Sequence, residues 1–127
     1  MTFSEIKSNK LLNTFMKKFV NQCESVDVQN VLHMYELCEA LISIPATEVS
    51  RTSVLSAELV RTYLHPTGPK QVAMPSERSA QLFSELPQPS EHAIREIQDY
   101  VIPTLDQAAA NFSLGFNTLL KEYKLDI

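Results

Sequence analysis

The stretch LLNTFMKKFVNQ, residues 11–22, decides the fold class. Its apolar side chains recur at spacings of one and three, which places them on one stripe of a helix, with lysines and asparagines on the other side. These apolar residues are Leu11, Leu12, Phe15, Met16, Phe19 and Val20. The pattern predicts an amphipathic helix that buries this stripe.

The sequence that follows predicts further helices with proline-marked joints between them. Asp27 is a good N-cap for a second helix, which Pro45 stops, and the polar joint PATEVSRTS leads to a third helical segment. The inward-facing residues predicted for these two helices are Val28, Val31, Leu32, Tyr35, Cys38, Leu41, Ile42, Leu55, Leu59, Val60 and Tyr63. His65 and Pro66 are expected to end the third segment.

The second half of the chain continues this pattern. Ser76 and Ser90 are expected to cap two more helices, and Pro103 is expected to kink or divide the second of them. Their predicted core, with that of a last apolar helix, comprises Ala80, Leu82, Phe83, Leu86, Ile94, Ile97, Val101, Leu105, Ala108, Phe112, Phe116, Leu119, Leu120 and Tyr123. The residues alone therefore predict an all-α bundle of six to nine helices.

Length and composition indicate one ordinary domain. The chain has 127 residues, 44% of them hydrophobic, with only 2 glycines and 7 prolines. Such a length supports a single hydrophobic core, so we expect one domain over residues 1–127. No apolar stretch approaches the roughly 20 residues of a membrane span, and the start lacks a signal-peptide pattern, which predicts an intracellular protein.

Charge is distributed unevenly along the chain. Residues 1–22 carry Lys7, Lys10, Lys17 and Lys18 against Glu5, a net +3, whereas the remaining 7 basic and 14 acidic residues sum to −7. The acidic body argues against nucleic acid as a ligand. The four lysines could contact an anionic membrane surface weakly, although a solvated helix face is the plainer interpretation.

Chemistry-bearing motifs are scarce. Gly68 and Gly115 are the only glycines, which excludes a phosphate-binding loop, and His33 with Glu36 forms an isolated HxxE pair without the partners of a metal site. Cys23 and Cys38 form neither a CxxC pair nor a zinc-ligand pattern, so we expect buried or half-buried thiols. We therefore expect a non-enzymatic protein with no cofactor, no metal and no catalytic residue.

Three segments, read in order, resemble the RGS domain, the regulator-of-G-protein-signalling fold, over about residues 9–124. They are LLNTFMKKFVNQCESVDVQNVLHMYELCEAL, AELVRTYLHPTGPKQVAMPSER and PSEHAIREIQDYVIPTL. The matching residues are Phe15, Phe19, Met34, Tyr35, Cys38, Glu39, Tyr63, Leu64, Pro69, Lys70, Val72, Met74, Ser76, Glu77, Pro89, Ile94, Glu96, Gln98, Val101 and Leu105. The resemblance implies a bundle of about nine helices.

The resemblance also implies where a Gα subunit would be gripped, through three loops. Asn30 is the nearest counterpart of the family's asparagine, although alignment on Cys38 and Glu39 puts Val31 there instead. Ala73 and Pro75 replace the polar pair of the second loop, where Ser76 and Glu77 persist. In the third, DQAAANFSLGF, Gly115 occupies the arginine position and Asn111 is the one polar substitute nearby. Asn30, Ser76, Glu77 and Asn111 are thus the candidate protein-binding residues.

Three functions follow from these observations as hypotheses. The first is a monomeric RGS-homology interaction module, linked to G-protein signalling or trafficking, in which the GTPase-activating (GAP) activity on Gα is weak or lost. The second is an active but divergent GAP that uses Asn30 and Asn111. The third is an unrelated helical adaptor that shares only helix lengths with RGS domains. Each predicts a cytoplasmic protein, membrane-peripheral if the lysines contact lipid.

Overall fold

The computed structural model describes the backbone of residues 2–122 and the side chains of residues 2–116. This part of the chain is helical and contains no strand, which confirms the predicted all-α class. Its elements are α1 (Phe3–Ser8), α2 (Lys10–Cys23), α3 (Val26–Ile42), α4 (Val49–Leu59), a π-helical turn (Val60–Leu64), α5 (Ser76–Glu85) and α6 (Glu91–Glu122). Six α-helices in residues 2–122 lie within the range predicted from the residues but do not fit the nine implied by the resemblance.

Two compact units divide the chain. Within the described residues, the first comprises residues 2–29 and 102–122, and the second comprises residues 30–101, so α3 and α6 each contribute to both. Buried apolar residues of the first unit include Phe3, Ile6, Met16, Val20, Leu105, Ala108, Ala109 and Phe112. Those of the second include Leu32, Met34, Tyr35, Cys38, Leu41, Leu59, Tyr63, Val72, Leu82, Ile94, Ile97 and Val101. Most of the predicted core is therefore buried.

The α2 stripe is only partly buried. Met16 and Val20 have no exposed surface, whereas Leu11 is 65% and Phe15 42% exposed. Phe15 still contacts the ring of Phe116, with ring centroids 6.3 Å apart. The prediction that the whole stripe is buried is thus wrong at Leu11 and Phe15. Tertiary packing covers only part of the stripe, so these two side chains stay exposed.

Predicted capping residues are confirmed at one of three places. Ser90 precedes α6 and its Oγ accepts a hydrogen bond from the Ala93 amide at 3.2 Å, as an N-cap does. Before α3 this role belongs to Ser25, whose Oγ accepts from the Val28 amide at 3.4 Å, and Asp27 lies in the first turn instead. Before α5 the cap position is Pro75, and Ser76 is the first helical residue.

Helix α6 differs most from its prediction. It runs unbroken from Glu91 to Glu122, so Pro103 does not divide it. A proline lacks the N–H that would bond the carbonyl four residues earlier, here that of Asp99. Both residues are exposed, and water can therefore hydrate the freed carbonyl. The predicted core residues Leu119, Leu120 and Tyr123 lie outside the described side chains.

Two further boundaries depart from expectation. Helix α4 begins at Val49, inside the segment predicted as a polar joint, and its last turn widens into the π-helical turn, where the His65 amide bonds the Val60 carbonyl at 2.8 Å. A bond to the residue five positions back defines this geometry. None of the helices within residues 2–122 has the length and apolar character needed to cross a bilayer.

Candidate functional site

Asn30, the proposed counterpart of the family's asparagine, lies inside α3 rather than in a loop. It is only 8% exposed. A side chain that reaches into a partner protein needs a larger exposed fraction, because it must exchange water for the partner at the interface. The geometry therefore favours a structural role for Asn30.

Ser76 and Glu77 form the first turn of α5 and are exposed. The carboxylate of Glu77 lies where the helix dipole favours negative charge, which supplies a stabilising role without any partner. The preceding residues Ala73 and Pro75 lie outside helices, in the segment that leads into α5. This segment is the one part of the predicted grip that is both irregular in backbone and accessible.

The third predicted loop, residues 106–116, is helical throughout, and its description as a loop is wrong. Its Asn111 is exposed and donates a hydrogen bond to Glu24 Oε1 at 3.0 Å, and it accepts one from Gln107 at 3.3 Å. These contacts tie α6 to the residue that caps the end of α2. Asn111 is thus engaged within its own unit.

A partly buried polar network joins residues from two of the segments that resemble RGS domains. Gln98 of α6, 1% exposed, donates to the Tyr35 carbonyl at 3.2 Å and to Glu39 Oε1 at 3.0 Å. Arg95 donates to the same Glu39 oxygen at 2.8 Å and to Gln98 Oε1 at 2.9 Å. Because every member has a partner at good distance, the network stabilises the contact between α3 and α6 in the second unit.

Residues of the remaining segment also meet. The Val72 amide donates to the Tyr63 carbonyl at 2.8 Å, and the Lys70 amide donates to the Thr62 carbonyl at 3.1 Å, which folds the loop back onto the π-helical turn. Both Tyr63 and Val72 are buried. A Cβ at Gly68 would stand 2.6 Å from the Thr62 carbonyl oxygen. The two hydrogen bonds therefore hold the loop against the turn, and the missing side chain of Gly68 leaves room for this close approach.

The two cysteines have different environments. Cys38 is fully buried, and this burial, reinforced by the neighbouring Glu39 carboxylate, raises the pKa of its thiol to about 12. Cys23 is exposed, so the prediction that both thiols are at least half-buried holds only for Cys38. Among the residues with described side chains, no group of three or more His, Cys, Asp or Glu is arranged to hold a metal ion.

A groove with a volume of about 530 Å³ lies beside the π-helical turn, and no motif in the sequence predicts it. Residues at spacings of three and four along α4 and the turn form one wall, and the following loop and the end of α5 form the others. The lining residues are Ser53, Ser56, Ala57, Val60, Arg61, His65, Thr67, Pro69, Leu86 and Pro87. Such a π-helical turn is a common way for a helix to end, and sequence periodicity gives no signal for it.

Comparison of the chain with protein-family models, with curated proteins and with solved structures gave no match.

Proposed function

We propose that this chain is an RGS-homology protein-interaction module, linked to G-protein signalling or trafficking, whose GAP activity on Gα is weak or lost. The observation that carries the proposal is the convergence of residues from separate motif segments. Glu39, from the first segment, and Gln98, from the third, meet in one partly buried network. Such convergence supports a shared scaffold, because contacts between motif residues distant in sequence require a particular packing of the helices.

Loss of the GAP activity is supported by the three gripping regions. An RGS domain accelerates hydrolysis by holding the switch loops of Gα in the transition-state geometry, without supplying a reacting group. Here Asn30 is buried, Ala73 and Pro75 offer no polar side chain, and residues 106–116 are helical. Since each lost anchor costs about 1–3 kcal/mol, the interface would lose several kcal/mol.

A single-turnover assay of GTP hydrolysis tests this proposal. Catalytic amounts of the domain are added to GTP-loaded Gα, beside a GAP-active RGS domain as the positive control. We expect the intrinsic rate to stay unchanged with this chain and to rise with the control. Acceleration by this chain would contradict the proposal and favour the divergent GAP, in which case Asn30→Ala should abolish the effect.

The unrelated-adaptor alternative is favoured by the helix count and by the unbroken α6. The double variant Ala73→Asn with Pro75→Asp restores the family's polar pair. It discriminates between the RGS-homology module and the unrelated adaptor, because these positions face Gα only in an RGS-type scaffold. We expect the double variant to gain binding to Gα carrying GDP and aluminium fluoride, which mimics the transition state. If the variant folds and gains no binding, the adaptor becomes the better proposal.

Weak contact with an anionic membrane surface is a second proposal, motivated by the outer face of α2. Leu11 and Phe15 are exposed there together with Lys10 and Lys18, a combination typical of interfacial helices. Sedimentation with vesicles of phosphatidylcholine and phosphatidylserine should recover more protein than vesicles of phosphatidylcholine alone. Lys10→Glu with Lys18→Glu should remove the difference, whereas an unchanged recovery would contradict the proposal.

A further inference from the structure

The groove beside the π-helical turn lies entirely within the second unit, and we propose that it binds a small amphipathic carboxylate, a free fatty acid or an aryl-alkyl acid of similar size. The volume of the groove, the chemistry of its walls and three polar groups support this assignment. It is independent of the RGS resemblance, because none of the four predicted binding residues lines the groove.

The dimensions of the groove suit a small molecule. Its volume of about 530 Å³ falls in the range of roughly 300–1,000 Å³ that is usual for ligand pockets. Val60, Leu86, Pro87 and Pro69 supply apolar surface on several sides. An aliphatic chain or an aromatic ring would therefore be partly removed from water on entering.

The charge of the residues that line the groove favours an anionic ligand. Arg61 lines the groove, and neither a hydrogen bond nor an ion pair joins its guanidinium to another residue whose side chain is described. The lining residues include no carboxylate. A guanidinium presents parallel N–H donors that match the two oxygens of a carboxylate. Because Arg61 is the single formal cation among the lining residues, a monoanion is a better match than a phosphate dianion.

His65 supplies a second donor. Its Nδ1 accepts a hydrogen bond from the Thr67 amide at 3.1 Å and lies 2.8 Å from the Thr67 hydroxyl. An imidazole nitrogen that accepts from an amide carries no proton, so the proton of the neutral ring lies on Nε2. The Nε2–H can donate to a ligand oxygen.

Ser56 is the third polar group, and it is the one buried polar side chain that lacks a hydrogen-bond partner among the described residues. The residue has no exposed surface, yet it belongs to the lining of the groove. A buried hydroxyl without a partner costs about 1–3 kcal/mol in proteins. Such unpaired groups are rare in folded domains, and a ligand oxygen in the groove would supply the missing partner.

The walls are preformed rather than assembled by the ligand. The loop that carries Thr67 and Pro69 is held by the Lys70 and Val72 amides, which donate to the Thr62 and Tyr63 carbonyls. The π-helical turn places Val60 and Arg61 one turn before His65 on the same wall. A preformed site spends little binding free energy on ordering.

Titration of the full chain with decanoate, below its micelle concentration, tests the proposal, with decanol as the neutral analogue. Calorimetry measures affinity, and amide NMR shifts locate the site. We expect saturable decanoate binding that shifts the Ala57, Val60 and Thr67 amides, with decanol about tenfold weaker. No saturable binding, or shifts confined to α2, would overturn the proposal.

Variants separate the carboxylate contact from the apolar contact. Arg61→Gln should weaken decanoate about tenfold and leave decanol unchanged, whereas Arg51→Gln, an exposed α4 arginine paired with Glu48, should alter neither. Ala57→Phe should block both ligands by filling the groove, provided that amide shifts elsewhere in the spectrum stay in place. Equal weakening by Arg61→Gln and Arg51→Gln would show non-specific charge attraction and would overturn the proposal.

Discussion

The thiol of Cys38 shows how burial controls the chemistry of one residue. Its position on the apolar face of α3 predicts an inert core cysteine, and the structure confirms this, because desolvation raises its pKa to about 12. Cys23 occupies the last position of α2 and is exposed. The sequence could not separate the two, since the difference depends on what packs against each helix.

Because the pKa of the Cys38 thiol is raised, the free energy of unfolding depends on pH in the alkaline range. Between about pH 9.0 and 12 the unfolded thiol loses its proton while the folded thiol keeps it, so the unfolded state binds fewer protons and the free energy of unfolding falls as pH rises. The slope contributed by Cys38 approaches roughly 1.4 kcal/mol per pH unit. Urea unfolding from pH 8 to 10.5 measures it, with Cys38→Ala as the comparison. If the free energy of unfolding of Cys38→Ala falls with pH as steeply as that of the parent protein, the assignment to Cys38 is contradicted.

Gln98 is the residue on which the α3–α6 network depends. Gln98→Met keeps the approximate volume but leaves the Tyr35 carbonyl and Glu39 without their amide donor, and we expect a loss of about 1–3 kcal/mol in the free energy of unfolding. Gln107→Met on the exposed face of α6 is the matched control; it removes only an exposed hydrogen bond to Asn111 and should stay within about 0.5 kcal/mol. Chemical denaturation of both variants measures the difference. Equal effects would show that the network is not stabilising.

At the scale of elements, the loop after the π-helical turn requires a glycine for space. Gly68→Ala would place a methyl group 2.6 Å and 2.8 Å from two backbone carbonyl oxygens, and we expect a loss of about 1–3 kcal/mol. Gly115→Ala in α6 meets its nearest atom only at 4.0 Å and should instead gain about 0.5–1 kcal/mol through helix propensity. Thermal unfolding of the pair compares them directly, and an equal shift in Tm would refute the close approach.

Pro103 tests the continuity of α6. Because α6 is unbroken at this position, Pro103→Ala would restore the helical hydrogen bond to the Asp99 carbonyl, and the gain of about 3 kcal/mol is reduced by about 1 kcal/mol through the greater entropy of the unfolded chain. We therefore expect a net gain of about 2 kcal/mol in urea unfolding. Thr104→Ala, an exposed neighbour, should gain only about 0.5 kcal/mol. Destabilisation by Pro103→Ala would indicate that α6 is broken there.

For the molecule as a whole, periodicity predicts the helices and much of the buried surface, because burial of an apolar stripe is what forms each helix. It fails at Leu11 and Phe15, where tertiary packing covers only part of a stripe, and at α6, where exposure of Pro103 lets one helix replace two. The groove lay beyond prediction, since a π-helical turn and a folded-back loop leave no periodic signal. The candidate binding residues were identified only by resemblance. In the structure Asn30 is buried, and Asn111 is hydrogen-bonded to Glu24.

The central claim is that this bundle binds a protein partner without gripping the Gα switches. Binding of the chain to a panel of Gα subunits, each loaded with GDP alone or with GDP and aluminium fluoride, tests it most directly. A GAP-active RGS domain serves as the control that must prefer the fluoride complexes. The account predicts no such preference for this chain, and a clear preference would contradict it by showing that the grip survives despite Ala73, Pro75 and Gly115.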